Sequence, residues 1–123
     1  MIKDLVLPTD DVPVIDESRL LAEFGGDQEI LAELRDLFLD QAPPLFDVIV
    51  SALDSGDLAV IAKEAHSLKG ACATYGAPRL TMVCKEIELA AKSGDLETAR
   101  VYRDHLDAEF TKVNNAIAAI KAG

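Results

Sequence analysis

Apolar side chains recur at steps of three and four residues along most of this chain, which is the spacing that places them on one face of an α-helix. The clearest series spans residues 58–75 and consists of Leu58, Ile61, Ala65, Leu68, Cys72 and Tyr75. Similar series cover residues 30–53, 80–91 and 96–120, and no segment shows the two-residue alternation of a β-strand. The pattern therefore predicts four long amphipathic helices that share one core.

Glycine and aspartate mark the ends of these helices. The string "SGDL" occurs twice, at residues 55–58 and 93–96, and each time the glycine can end one helix while the aspartate caps the next. In "YGAP", Gly76 is a third helix stop and Pro78 suits the first position of the following helix. Because such short turns make consecutive helices antiparallel, the predicted fold is all-α, an antiparallel up-and-down four-helix bundle.

Two parts of the chain depart from this regular pattern. Residues 1–14 contain two prolines and no helical period, which predicts an extended N-terminal lead-in before a bundle domain at residues 15–121. At the start of that domain, Asp16 can cap a short extra helix that ends at the glycine pair of "FGG". Pro43 and Pro44 interrupt the first long helix and predict a kink, with a split into two helices as the alternative.

The composition limits the kinds of partner. The 123 residues, 50% of them hydrophobic, suffice for one domain with one core. The 22 acidic and 12 basic residues give a net charge of -10, which disfavours binding to nucleic acid or to an anionic membrane.

The cysteines Cys72 and Cys84 fall on inward-facing positions of the predicted helices, as do Leu37 and Val48. Two cysteines and the lack of a basic-then-apolar leader lead us to expect a cytoplasmic protein.

His66 lies on an unusual helix face. Its position is about 130° from the predicted seam of its helix, so the imidazole is expected to point to solvent. Within about 60° of it lie mostly small residues and two lysines, namely Ala59, Ala62, Lys63, Lys69, Gly70 and Ala73. A glycine inside a helix costs about 1 kcal/mol relative to alanine, and no helix end is signalled at Gly70. A second surface that approaches closely would explain both features.

The chemistry available at His66 is reversible phosphorylation. A neutral imidazole nitrogen is a good nucleophile near pH 7. Lys69 lies one turn further and supplies a cation within reach of a phosphoryl group on that nitrogen. Because phosphoryl transfer depends mainly on positioning and charge stabilisation, His66 beside Lys69 is sufficient as a carrier if a partner brings the metal ion and the second acceptor.

The run "HSLKGACATYG" at residues 66–76 resembles the active-site pattern of histidine-containing phosphotransfer (HPt) domains of bacterial two-component phosphorelays. The matching residues are His66, Leu68, Lys69, Gly70 and Gly76. The flanking strings "GGDQEILAELRDLFLDQAP", "GAPRL" and "KEIELAAKSGDL" resemble the neighbouring helices of such domains, so that the resemblance covers roughly residues 15–120.

The resemblance implies a role for each site residue. His66 is the residue phosphorylated, Lys69 helps to hold the phosphoryl group, and Gly70 gives a receiver domain the clearance to approach. The helix face around His66 predicts the partner-binding residues Ala59, Ala62, Lys63, Gly70 and Ala73, and the resemblance gives supporting roles to Glu88 and Lys92, at positions of the following helix that lie beside the histidine. Lys92 stands where the family pattern often has arginine.

The resemblance also implies the function and the partners. The chain would accept a phosphoryl group from the receiver aspartate of a hybrid sensor kinase and pass it to another response-regulator receiver domain. Because no ATP-binding domain or phosphate-cradling glycine loop is visible, we expect a phosphocarrier and no kinase. We expect a monomer with no cofactor and no metal ion of its own, the Mg²⁺ being supplied by the receiver.

Three other interpretations of the same residues stay open. His66 would be an ordinary surface histidine on a structural bundle, or the bundle would be an adaptor that binds a signalling partner without phosphorylation. A metal-binding bundle would use His66 with a neighbouring carboxylate, but the Glu-x-x-His pairs of di-metal bundles are missing. His105 lies off the seam of its helix and is interpreted as a surface histidine.

Overall fold

The computed structural model describes residues 5–123, and all the regular structure within that range is helical. Six helices follow one another, α1 (Ser18–Glu23), α2 (Gln28–Ser55), α3 (Leu58–Tyr75), α4 (Pro78–Lys92), α5 (Leu96–Val101) and α6 (Arg103–Ala122). Helix α3 packs against α2 and α4, and α5 and α6 pack against α4 and α2 to close the bundle. The predicted four-helix bundle with a short additional N-terminal helix is confirmed.

The bundle core consists of aliphatic side chains from every long helix. Those that are almost completely buried include Leu31, Ile49, Leu53, Ile61, Leu68, Leu80, Ile87, Leu106 and Ile117. The predicted seam of α3 is confirmed, because its members are buried except for Leu58, which is partly exposed. Cys72 and Cys84 are free thiols buried in this core. The neighbouring Cys84 and the burial raise the pKa of Cys72, so the thiol stays protonated.

The helix ends follow the predicted chemistry. The Asp27, Asp57 and Asp95 carboxylates each accept hydrogen bonds from backbone N–H groups in the first turn of α2, α3 and α5. Gly56 and Gly76 end α2 and α3 in the left-handed region, with φ of 80° and 110°. Each cap satisfies backbone groups that a helix end would otherwise leave without a partner.

The structure decides between the two alternatives for α2 and departs from the predicted pattern in the last helix. Helix α2 runs without a break through Pro43 and Pro44, so it is not split, and the kink at these residues stays a prediction. The predicted last helix divides at Tyr102 into α5 and α6. The Tyr102 N–H is shared between two carbonyl groups of α5, and its hydroxyl group accepts from Val6 N–H at 2.8 Å and donates to the Val6 carbonyl at 3.1 Å. The helix is therefore interrupted where this side chain reaches the N-terminal segment.

Residues 5–14 contain no helix and lie against the bundle. Arg79 on α4 holds this segment, because its guanidinium donates to the Thr9 and Val12 carbonyl groups and to the Glu109 carboxylate. The first four residues of the predicted lead-in lie outside the described residues. The division of the chain into residues 1–14 and 15–121 stays a prediction.

The start of α1 is joined to the end of α3. Glu17 accepts from Arg35 at 2.7 and 2.8 Å and from the Tyr75 hydroxyl at 2.7 Å. Immediately beside this cluster, the Asp16 N–H donates to the Gly76 carbonyl at 2.8 Å. The turn after α3 is therefore packed closely beneath the N-terminal segment.

Replacement of Gly76 with alanine should destabilise the bundle strongly. The φ of 110° disfavours an L side chain, and an added Cβ would lie 2.2 Å from the Asp16 carbonyl oxygen. We expect the free energy of unfolding, measured by urea denaturation, to fall by at least about 2 kcal/mol. The matched control is Gly94→Ala, at φ of 78° with open space around the Cβ, which should cost only about 1 kcal/mol. Equal losses in the two variants would contradict this description of the turn.

Candidate functional site

His66 projects from α3 toward solvent. Its side chain is 66% exposed, which confirms the orientation predicted from the helix period. The neighbouring Ala65 and Leu68 are completely buried, and they fix the rotation of α3 about its axis. Nδ1 of the imidazole lies 2.9 Å from Oε2 of Glu88 on α4. The exposed edge of the ring therefore carries Nε2.

Glu88 is a buried carboxylate at the centre of a charged cluster. Its side chain is 4% exposed, yet two ammonium groups reach it from α3 and α4. Lys69 Nζ lies 2.6 Å from Oε1, and Lys92 Nζ donates to Oε2 at 2.6 Å. Burial by itself would raise the pKa of this carboxyl, but hydrogen bonds and charges from Lys69, Lys92 and His66 lower the pKa to about 2. Glu88 is therefore an anion at neutral pH.

The anionic Glu88 determines which imidazole nitrogen is free to react. A carboxylate that contacts Nδ1 favours the tautomer with the proton on that nitrogen, since only an N–H can donate to it. The lone pair is then on Nε2, at the exposed edge of the ring. In this arrangement a carboxylate orients a histidine, and the histidine offers a nucleophilic nitrogen to a partner.

The small-residue face is partly as predicted. Ala59, Lys63, Gly70 and Ala73 are exposed around His66, whereas Ala62 is partly buried. An added Cβ at Gly70 would meet nothing within 4 Å, so the bundle itself does not require a glycine at this position. The space that a side chain at Gly70 would occupy is therefore open at the surface of the molecule.

Glu88 lies beside His66 but is buried, so the predicted supporting role in partner binding is not that of an exposed residue. Its position on α4 faces α3, so the side chain lies beneath His66, Lys69 and Lys92. Lys92 is exposed at the edge of the cluster and forms an i,i+4 pair with Glu88. Because Glu88 is buried, it can affect a partner only through His66, Lys69 and Lys92, which cover it.

An apolar groove beside His66 is a feature that the hydrophobic pattern did not reveal. It runs between α2 and α3, and its apolar lining includes Leu34, Leu37, Phe38, Leu45, Ala71 and Tyr75. Leu37 is 48% exposed and Val48 is also exposed, so the prediction that both face the core is wrong. Leu37 and Val48 are eleven residues apart, which is about three helical turns, so they lie on the same side of α2. This spacing is the sequence signal of the exposed apolar stripe.

Two kinds of structure are absent from the described part of the chain. Residues 5–123 contain no group of three or more histidine, cysteine, aspartate or glutamate side chains arranged to hold a metal ion. Within the same part of the chain, no helix combines the length and the apolar character needed to cross a membrane.

Comparison with known proteins agrees with this geometry. A family model described as the Hpt domain matches residues 33–121. The solved structure of histidine-containing phosphotransfer protein B (HptB) from Pseudomonas aeruginosa PAO1 is 28% identical, with a TM-score of 0.80 over 91% of this chain and 97% of that chain. The histidine-containing phosphotransfer protein ZmHP2 from maize is 23% identical, with a TM-score of 0.76 over 89% and 83% of the two chains, and shows the same fold. A comparison with curated proteins finds no match.

The family match covers more than half of the chain and includes the whole of α3 and α4, which carry the charged cluster. The resemblance predicted from "HSLKGACATYG" is thereby confirmed. This chain belongs to the Hpt domain family and acts in histidine phosphotransfer in phosphorelays.

Proposed function

We propose that His66 is the phosphorylated residue of this Hpt domain, and that it receives the phosphoryl group from one receiver domain and delivers it to another. The observation that carries the proposal is the contact between the exposed imidazole and the buried anionic Glu88. The other histidine, His105, is partly buried and packs edge-on against the Tyr102 ring. It has no comparable carboxylate contact among the hydrogen bonds of the described residues.

The chemical step begins with the lone pair of Nε2, which attacks the phosphorus atom of an aspartyl phosphate. The N–P bond forms, the bond between phosphorus and the aspartate oxygen breaks, and the aspartate leaves as a carboxylate. No proton is lost, so the ring becomes an imidazolium with its proton on Nδ1. Glu88 stabilises the positive charge that develops on the ring. Return of the phosphoryl group to a second aspartate reverses these changes.

Lys69 is the proposed cation for the phosphoryl group. It follows His66 by one turn of α3, and its ammonium already lies at the edge of the site, in contact with Glu88. A phosphoryl group on Nε2 would bring about two negative charges to this edge. An ammonium beside it favours both the phosphorylated state and the transition state that precedes it.

The receiver domain is proposed to dock over the small-residue face of Ala59, Ala62, Lys63, Gly70 and Ala73. The apolar groove between α2 and α3 adjoins this face and offers additional contact area. The receiver brings its aspartate and the Mg²⁺, so this chain holds no cofactor of its own. Affinity should be modest, because a carrier has to release each partner after transfer.

The Hpt domain of this chain is a phosphocarrier domain and not a kinase domain. We propose that it does not turn over a substrate by itself, that it works as a monomer in the cytoplasm, and that a hybrid sensor kinase and a response regulator are its partners. A second candidate is an adaptor that binds the same partners without phosphorylation. The exposed small-residue face suits both functions, but only the carrier accounts for the orientation of the imidazole by Glu88.

Replacement of His66 with glutamine tests the carrier directly. Incubation of the wild-type protein with a phosphorylated receiver domain should give an acid-labile, base-stable label, as expected for a phosphohistidine. The label should disappear in His66→Gln and persist in the matched control His105→Gln. A label that survives in His66→Gln would contradict the proposed site, and its absence from the wild-type protein would favour the adaptor.

Replacement of Glu88 with glutamine should slow transfer without preventing it. The amide oxygen can still accept from Nδ1, but the negative charge that stabilises the imidazolium is lost. Loss of one preorganised electrostatic contact of this kind typically lowers a rate on the order of 100-fold. The measurement is the initial rate of transfer from the phosphorylated receiver, with Glu86→Gln on the same helix as control. Wild-type rates in Glu88→Gln would show that the charge of Glu88 has no role.

Replacement of Gly70 with glutamine should weaken receiver docking while the bundle stays as stable or becomes more stable. The exposed position has room for a side chain, and glutamine favours the helix over glycine by roughly 0.5–1 kcal/mol. The two readouts are receiver affinity, measured by titration calorimetry, and the midpoint of thermal unfolding. A lower unfolding midpoint with unchanged affinity would assign Gly70 to the fold.

A further inference from the structure

The two ammonium groups that reach Glu88 contact it in different ways. Lys92 Nζ donates a hydrogen bond to Oε2, the same oxygen that faces Nδ1 of His66. Lys69 Nζ lies equally close to the other carboxylate oxygen, at 2.6 Å from Oε1. Each oxygen of Glu88 therefore has its own ammonium group, Lys69 on Oε1 and Lys92 on Oε2.

The charges of the cluster change when His66 is phosphorylated. Before phosphorylation, one carboxylate is balanced by two ammonium groups. A phosphoryl group adds about two negative charges on the solvent side of the ring. Lys69 is 30% exposed and lies one turn from His66, so it is placed between the buried carboxylate and the incoming group. Movement of Lys69 to the phosphoryl group would remove one of the two cations from Glu88.

A buried carboxylate that loses its cation is strongly destabilised, because it has no water to replace the lost contact. In the phosphorylated protein the imidazolium of His66 still faces Oε2, and a second cation on the carboxylate would make up for the departure of Lys69. Lys92 is suited to that role, since it lies on the same helix at i,i+4 with the glutamate on the N-terminal side, which is the favourable order for such a pair. Its pairing with Glu88 does not depend on the conformation of Lys69.

We propose that Lys92 is a positioning residue that keeps Glu88 paired while Lys69 turns from Glu88 to the phosphoryl group. Lys92 thus acts on the reaction through Glu88 and Lys69, and its ammonium remains on Glu88 in the phosphorylated protein. The proposal rests on the proposed phosphorylation of His66. It assigns the two lysines different partners in the phosphorylated state.

The first test uses phosphoramidate, a small phosphodonor that requires no receiver domain. The bond from Nε2 to phosphorus forms, the N–P bond of phosphoramidate breaks, and ammonia leaves. Lys92→Ala should slow phosphohistidine formation on the order of tenfold, because Glu88 then retains Lys69. Lys92→Arg should restore most of the rate, and Lys85→Ala, which removes another exposed lysine of α4, should leave it unchanged.

The second test follows the ammonium groups themselves by NMR of protein labelled with ¹³C and ¹⁵N in lysine. On phosphorylation, the signal of Lys69 Nζ should shift and that of Lys92 Nζ should stay close to its original position. A wild-type rate in Lys92→Ala, or a Lys92 signal that shifts as much as that of Lys69, would overturn the proposal. Absence of phosphohistidine in the wild-type protein would instead refute the role of His66, and the proposal would fall with it.

Discussion

The buried carboxylate of Glu88 is the interaction on which the functional surface depends. It lies between α3 and α4, the two helices that carry the cluster, and it binds a group from each of them. A charge in this position is tolerable only because His66, Lys69 and Lys92 surround it. The same contacts that stabilise the charge also determine the tautomer of His66 and the resting position of Lys69. Stability and reactivity therefore arise from one set of contacts.

The rest of the bundle holds α3 and α4 in fixed positions, so that the groups of the cluster stay in contact. The α3 seam, apart from Leu58, and the α4 residues opposite it are buried, so neither helix can rotate without exposing apolar surface. At the far end of α3, the turn at Gly76 is packed beneath Asp16 and anchored by Glu17, Arg35 and Tyr75. On the outer face of α3, the space around Gly70 is open, which leaves room for a partner.

Much of this architecture is predictable from local patterns. The seam of α3 and the caps at Asp57 and Gly76 follow from residue spacing and from the conformations that aspartate and glycine favour. The exposure of His66 follows in the same way, because the helix period relates it to a buried seam only a few residues away. These features depend on neighbours within about two turns of one helix.

Features that depend on contacts between helices were not predictable in this way. The resemblance gave Glu88 a supporting role, but the spacing along α4 does not show that this carboxylate is buried beneath residues of α3. Leu37 was assigned to the core, because its spacing from the other apolar residues of α2 places it on the apolar face. The bundle leaves this part of the face exposed. The break at Tyr102 coincides with a contact to Val6, ninety-six residues away in sequence. In each case the outcome depends on how distant parts of the chain pack, which the local pattern does not contain.

The central claim is that Glu88 keeps the proton of His66 on Nδ1 and leaves Nε2 free to attack phosphorus. Long-range ¹H–¹⁵N correlation NMR of the unphosphorylated protein, at a pH where the imidazole is neutral, reports directly which ring nitrogen is protonated. The account predicts that His66 is in the Nδ1–H form in the wild-type protein. A neutral His66 with its proton on Nε2 would contradict it, since the exposed nitrogen would then lack the lone pair that the transfer requires.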